Sequence, residues 1–204
     1  MTETATKYRL TINYDHGTES PNEYGVVRVV SFNRHHNDFA HPDTIDPADI
    51  LAPLSYYEHG DCVWSVGAST VPDHGGFDTV NYAGAIVWNT EDLSEREWFN
   101  SLSETDRLAT FRSVADQYTD WCNGTVFYYL LETMVECELG YDHVGGFIDQ
   151  CGSFIGNDSL IDAVAEALTH ENIDPYAVTV VGDASYTVEP YDLARKMAGH
   201  KTLA

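Results

Sequence analysis

The longest run of strand-forming residues spans residues 125–156 and consists of two β-rich segments joined at residues 138–142. The first segment carries more apolar side chains than a half-exposed strand needs, so we predict a central strand covered on both faces. The second segment contains Gly145, Gly146 and Gly152, which are typical of β-bulges and close backbone approaches. The pattern therefore predicts a hairpin around which the fold is built.

Further strands are predicted where β-branched and aromatic residues form short runs between turn-forming residues. These runs cover residues 8–14, 24–32, 62–70, 83–88 and 176–181. The connection between the first two runs is rich in turn formers, so we expect these two strands to pair as a hairpin with a long loop.

Apolar residues recur at helical spacing in the segment that begins at Ser103 and ends at Asn123-Gly124. Its predicted buried stripe consists of Leu108, Phe111, Ala115, Tyr118 and Cys122. Other helices are predicted from Asp46-Pro47, over 94–102, over 157–170 and over 189–197. The order of these elements predicts an α+β fold: a single domain over residues 1–204, with a mainly antiparallel sheet and helices packed on one face.

The charge of the chain bears most on its function. The sequence contains 33 acidic and 10 basic residues, and its formal net charge is −23. Such a balance excludes ordinary binding to nucleic-acid phosphates, which requires clustered lysine and arginine. Three explanations stay open: an acidic coat adapted to high salt, a coding bias with selection for solubility, or an acidic face that binds a basic partner. A DNA mimic is the extreme form of the third explanation.

The four cysteines are Cys62, Cys122, Cys137 and Cys151, and no two form a C-x-x-C pair that would indicate a zinc ribbon. We expect small, buried, unpaired thiols. No apolar run approaches the roughly 20 residues that cross a bilayer, and the N-terminal residues show no secretory signal. We therefore expect a soluble protein of the host-cell cytoplasm that has no membrane partner.

One loop contains Asp15, His16, Glu19 and Glu23, which are residue types suited to a metal ion or to acid–base chemistry. The alternative interpretation is an Asx-type loop whose side chains hydrogen-bond their own backbone. Sequence cannot show the convergence that a site needs, so we favour the second interpretation.

Two further groups are candidates for chemistry. His35, His36 and His41 could supply imidazole ligands to a metal if they lie in a loop, although adjacent residues in an extended strand point to opposite faces. We favour the alternative, a solvated polar strand end. Asp149 and Cys151 lie two residues apart, hence on one face of a strand, as a nucleophile arrangement with a nearby histidine would require. A carboxylate that caps a turn and a cysteine in the core also explain this pair, and we favour that interpretation. Phosphate-binding glycine loops and the G-x-S-x-G and H-E-x-x-H motifs are absent, and we expect no cofactor.

Three sequence blocks resemble a family of small phage- and plasmid-encoded proteins over residues 8–156. They are DHGTESPNEYG followed by VVSFNRHH, then DHGGFDTVNYAGAIVWNTEDL, then QYTDWCNGTVFYY with GGFIDQCGSFIG. The family's features within them are Glu19-Ser20-Pro21, the run from Phe32 to His35, and Asp149-Gln150-Cys151 ahead of Phe154-Ile155-Gly156. This chain departs from the family at Gly152, where a tryptophan is expected, and residues 157–204 look like an added C-terminal segment. The resemblance implies a mobile-element setting and no particular activity.

The leading hypothesis is an acidic accessory protein, encoded by a virus or mobile element, that binds a host macromolecule such as a protein with a basic surface. A counter-defence protein or a DNA mimic would act in this way. The first alternative is a small metal-dependent or acid–base enzyme that uses Asp15, Glu19, His35 and Asp149. The second alternative is a halophilic protein whose charge is salt adaptation alone.

Overall fold

The computed structural model describes residues 7–36, 38–73, 76–136 and 142–201. The predicted turn at residues 138–141 and Cys137 lie outside the described residues. The strands and helices are β1 (Lys7–Tyr14), β2 (Val27–Ser31), β3 (Ile50–His59), β4 (Asp61–Val66), β5 (Thr79–Trp88), α1 (Leu93–Ser101), α2 (Glu104–Cys122), β6 (Val126–Glu136), β7 (Asp142–Ile155), α3 (Asn157–His170), β8 (Val178–Val181) and α4 (Pro190–Lys201).

The predicted α+β class is confirmed, with mostly antiparallel strand pairing. The strands form two four-stranded sheets, and the chain divides into two compact units. The first unit contains the residues up to Thr18 and from Gly124 onward, and the second unit contains Glu19–Asn123. The single domain over residues 1–204 stays a prediction.

The sheet of the first unit has the strand order β7-β6-β1-β8, so the predicted central hairpin is present and β6 has a neighbour on each side. The expected pairing of β1 with β2 is wrong. β1 instead lies antiparallel to β6 and parallel to β8, while β2 pairs with β5 in the other sheet. Local turn chemistry predicted a hairpin, but long-range burial of apolar strand faces decides which strands pair.

The core of the first unit lies between this sheet and the helices α3 and α4. Leu160, Val164 and Leu168 recur every fourth residue along α3 and are completely buried, as the predicted helix over 157–170 requires. Leu193 of α4 joins them, and Leu10 of β1 packs into the same cluster. Residues 157–201, which resemble an added segment in sequence, thus supply both helices of this core and one strand of its sheet.

The second unit packs α1 and α2 against a sheet of order β2-β5-β3-β4. Two side chains near the end of α2 hydrogen-bond the open edge of β4. Thr119 accepts from the Trp64 amide at 2.9 Å, and Asn123 both accepts from the Cys62 amide and donates to the Cys62 carbonyl, each at 2.9 Å. An edge strand presents unpaired backbone groups, and these contacts satisfy two donors and one acceptor of that edge.

Two local predictions differ from the structure of this unit. The helix expected from Asp46-Pro47 is a single 3-10 turn, after which the chain enters strand β3, because pairing with β4 and β5 overrides the helix-start signal. In α2 the cap at Ser103 is confirmed, but only Ala115 and Tyr118 of the predicted stripe are buried. Leu108 and Cys122 are exposed, since they lie towards the two ends of the helix.

Gly182 gives a direct test of the packing after β8. Its φ of +111° favours glycine, and an added Cβ would collide with the Ile12 carbonyl of β1. We expect Gly182→Ala to lower the free energy of unfolding by about 3 kcal/mol, through backbone strain and overpacking. Gly199→Ala is the control, because Gly199 lies in α4 with nothing within 4 Å of an added Cβ. Urea melts should show that variant unchanged or stabilised by up to about 1 kcal/mol; equal losses in both variants would contradict this account.

Candidate functional site

Asp15 of the first unit belongs to a network of local hydrogen bonds. Its carboxylate accepts from the Gly17 amide at 3.1 Å and from the Ser153 amide at 3.2 Å. Burial acts to raise the pKa of Asp15, but hydrogen bonds from Thr18, Gly17 and Ser153 outweigh it and lower that pKa. The contact with Gly17 is the Asx-type loop of the second interpretation, and the contact with Ser153 ties this loop to β7.

Asp149 and Cys151 both lie on β7, with Gln150 between them. Both line a pocket of about 570 Å³ in the first unit, beside α3. Tyr129 donates its hydroxyl proton to Asp149 at 2.6 Å, and His170 lines the same pocket. Cys151 is exposed on the outer strand β7 rather than buried in the core.

The other candidates of the enzyme and metal hypotheses, Glu19, His35, His36 and His41, lie in the second unit. Glu19 accepts a hydrogen bond from the Tyr24 hydroxyl at 3.0 Å. The imidazole of His36 bonds the Ser31 hydroxyl at 2.8 Å, whereas His41 caps a 3-10 turn by accepting from the Asp43 amide. His35 and His36 line one pocket. Of the four residues proposed for an enzyme, Asp15 and Asp149 therefore belong to the first unit, and Glu19 and His35 to the second.

Among the residues that the structure describes, no group of three or more histidine, cysteine or acidic side chains is placed to hold a metal ion. Over those same residues, no helix has the length and apolar character needed to span a membrane.

The second unit contains a pocket of about 360 Å³ with aromatic walls, which we call the dithiol pocket. Its lining includes His36, Tyr56, Cys62, Trp64, Tyr118 and Cys122. The Trp64 ring lies 4.7 Å from Tyr56, 5.5 Å from His36 and 5.7 Å from Tyr118, centroid to centroid. These rings form one packed aromatic cluster in the pocket lining.

Polar groups interact across the dithiol pocket. The Tyr118 hydroxyl donates to Asp38 at 2.7 Å. Tyr118 and Cys62 each interact electrostatically with Cys122. Burial and the bond to Asp38 raise the pKa of Tyr118, so the phenol stays a donor. Sequence reasoning missed this site, since β4 and the end of α2 meet only in the folded unit. The available signal was the density of aromatic residues around each cysteine.

The environment of His36 predicts that the stability of the folded chain depends on pH. Burial lowers the pKa of its imidazole below 6.5, with Glu58 and Asp38 acting in the opposite direction and His35 acting with burial. As the pH falls, the imidazole of His36 is therefore protonated in the unfolded chain before it is protonated in the folded one. The free energy of unfolding then decreases as the pH drops below about 6.5. His36→Gln should weaken this fall in melting temperature relative to the native chain, while His59→Gln, at an exposed position, should not. Identical pH profiles for the native chain and His36→Gln would exclude the effect.

A second surface of interest runs along residues 91–98, which we call the α1 acidic segment. Glu91, Asp92, Glu95 and Glu97 are all exposed. Arg96 is the only cation of the segment, and its guanidinium lies 3.5 Å from Asp49 and 4.0 Å from Glu91, so it balances part of the segment's charge. Its guanidinium donates to the Thr90 carbonyl at 2.8 Å and lies 5.2 Å from the centroid of the Trp88 ring.

Two large apolar side chains accompany these carboxylates. Leu93 is 70% exposed and Trp98 is 58% exposed. Nearby, Phe99, Leu108 and Phe111 line a groove of about 320 Å³ between α1, α2 and β3. The segment therefore presents negative charge and an exposed indole, and the groove belongs to the same unit.

Comparisons of the chain with protein-family models, with curated proteins and with solved structures gave no match. The resemblance to phage- and plasmid-encoded proteins stays a prediction.

Proposed function

We propose that this protein acts by binding a host macromolecule with a basic surface, and that the α1 acidic segment is its contact surface. The observation that carries the proposal is the pairing of exposed carboxylates with an exposed Trp98, while Arg96 is turned into the fold. Tryptophan is among the residues that most often dominate binding energy at protein interfaces. Carboxylates around it would steer and orient a basic partner.

The charge of the whole chain supports the same proposal. Even if every one of the 10 basic residues neutralised a different acid, an excess of 23 acidic side chains would remain. Such a field raises the rate at which basic partners are encountered and repels nucleic acids. An accessory protein of a phage or plasmid that captures or masks a basic host protein would use this field.

Affinity capture with matched variants tests the proposal. The immobilised native chain, Glu95→Gln/Glu97→Gln and Trp98→Ala are exposed to host lysate at low salt. The control is Glu171→Gln/Glu189→Gln, which removes the same number of charges from exposed positions in the first unit. We expect a basic protein to be retained by the native chain and the control, weakened in both segment variants, and released by a few hundred millimolar KCl.

Two results would overturn the proposal. One is retention of the same proteins by all four chains, which would place binding elsewhere. The other is failure of the native chain to retain any basic protein at low salt.

Salt should weaken binding to a basic partner, but it should stabilise the free protein. Screening shortens the Debye length from about 30 Å at 0.01 M to about 3 Å at 1 M, which removes repulsion among the excess carboxylates. We therefore expect the melting temperature to rise with KCl over this range. A flat profile would contradict the self-repulsion argument, and salt-stabilised folding without salt-sensitive binding would support the halophilic alternative.

A further inference from the structure

The dithiol pocket brings together two cysteines from distant parts of the chain. Cys62 lies on β4 and Cys122 is the last residue of α2. Both line the pocket, and the two thiols interact closely enough for each to shift the pKa of the other. The expectation of a buried cysteine is correct for Cys62, which is 8% exposed, and wrong for Cys122, which is exposed.

The backbones of the two cysteines are held close by Asn123. This residue follows Cys122 directly, and its amide makes two hydrogen bonds to the main chain of Cys62, each 2.9 Å long. Because this contact holds the two residues near each other, their encounter does not depend on the motion of a flexible loop. This contact holds the end of α2 against the main chain of Cys62, which is the arrangement that a disulfide between the two residues would need.

The two thiols differ in the direction of their pKa shifts. Interaction with Cys122 lowers the pKa of Cys62, whereas the reciprocal interaction raises the pKa of Cys122. Both residues line the pocket, so a small molecule in it can meet either thiol, and the two shifts favour attack by Cys62. Reactive dithiols commonly divide the two tasks of attack and resolution in this manner.

We propose that Cys62 and Cys122 form a reversible dithiol–disulfide site whose oxidants are small disulfides, with cationic ones preferred. The pocket has about 360 Å³ of space between aromatic walls. Glu58 lines it, and Asp61 and Asp38 exert their charge on the thiols, so a cationic disulfide is attracted and an anionic one repelled. The buried indole N–H of Trp64, which has no hydrogen-bond partner among the described residues, belongs to the wall of the pocket.

The exchange balances in two steps. The Cys62 thiolate attacks one sulfur of the small disulfide, a mixed disulfide forms, and the first small thiolate leaves. Cys122 then loses its proton, attacks the Cys62 sulfur and expels the second thiolate. The protein dithiol gives up two electrons and its two protons, and the small disulfide becomes two thiols.

Cystamine is the cationic probe, and oxidised glutathione is the anionic one. Folded native chain is treated with either, blocked with an alkylating agent, and its peptides are analysed by mass spectrometry. We expect a peptide pair linked through Cys62 and Cys122 that lacks two hydrogens, with faster formation from cystamine. Cys122→Ser should stop at a mixed disulfide on Cys62, which dithiothreitol removes. Cys151→Ser is the control and should react like the native chain.

Three outcomes would overturn the proposal. The first is complete alkylation of both cysteines in the folded native chain after cystamine treatment. The second is a mixed disulfide that collects on Cys122 in Cys62→Ser as fast as on Cys62 in Cys122→Ser. The third is equal formation of the linked pair in urea-unfolded and folded chain, which would show that the fold makes no contribution.

Discussion

Replacing Trp64 by alanine is expected to lower the free energy of unfolding by about 3–5 kcal/mol. The indole is 1% exposed and packs on the rings of His36, Tyr56 and Tyr118. Removal of the indole leaves a large cavity. Gly84 lies next to the indole, and it has no side chain that could fill the space. Denaturant melts of the native chain and Trp64→Ala give the comparison.

Trp98→Ala is the matched control for this prediction. It removes the same side chain from a position that is mostly exposed, so the loss should stay below about 1 kcal/mol. A loss below about 1 kcal/mol for Trp64→Ala would contradict the packing around the dithiol pocket. The control also shows that Trp98→Ala is folded when its binding is examined.

The second large effect is expected at the ion pair between β1 and β6. Arg9 donates from two nitrogen atoms to a single carboxylate oxygen of Glu132, at 2.7 and 3.1 Å, and Glu132 is buried. Arg9→Met leaves this carboxylate buried without its partner, which we expect to cost about 3 kcal/mol. Arg195→Met, at an exposed pair whose atoms are 3.8 Å apart, should change stability by less than about 1 kcal/mol.

A double-mutant cycle separates the pair from its environment. Arg9→Met/Glu132→Leu replaces both charges with apolar groups, and we expect it to recover most of the stability that Arg9→Met loses. Melting experiments on the two single variants and the double variant measure the coupling. If the losses in the free energy of unfolding of the two single variants add up to that of the double variant, Arg9 and Glu132 are not energetically coupled.

The parts of the fold that were predicted correctly are those set by neighbouring residues. The Ser103 cap of α2 binds Asp106 three residues later, and the apolar spacing along α3 follows directly from helix geometry. Strand pairing was not predictable in this way. β1 pairs with a strand more than a hundred residues away, and no local signal specifies that choice.

The same distinction applies to the site. The common strand face of Asp149 and Cys151 follows from a period of two, and both residues line one pocket. The proximity of Cys62 and Cys122 depends on how α2 packs against the edge of β4. The two cysteines are too far apart in the sequence to belong to one local motif. They can be recognised as a pair only in the folded unit.

The most direct test of the binding proposal is photo-crosslinking in the host cell from two exposed aromatic positions. Benzoylphenylalanine replaces Trp98 in one chain and Tyr191, which is 67% exposed in the first unit, in another. Irradiation should join position 98 to a basic host protein and leave position 191 without that adduct. Adducts of the same protein from both positions, or none from position 98, would contradict the claim that this protein binds its partner through the α1 acidic segment.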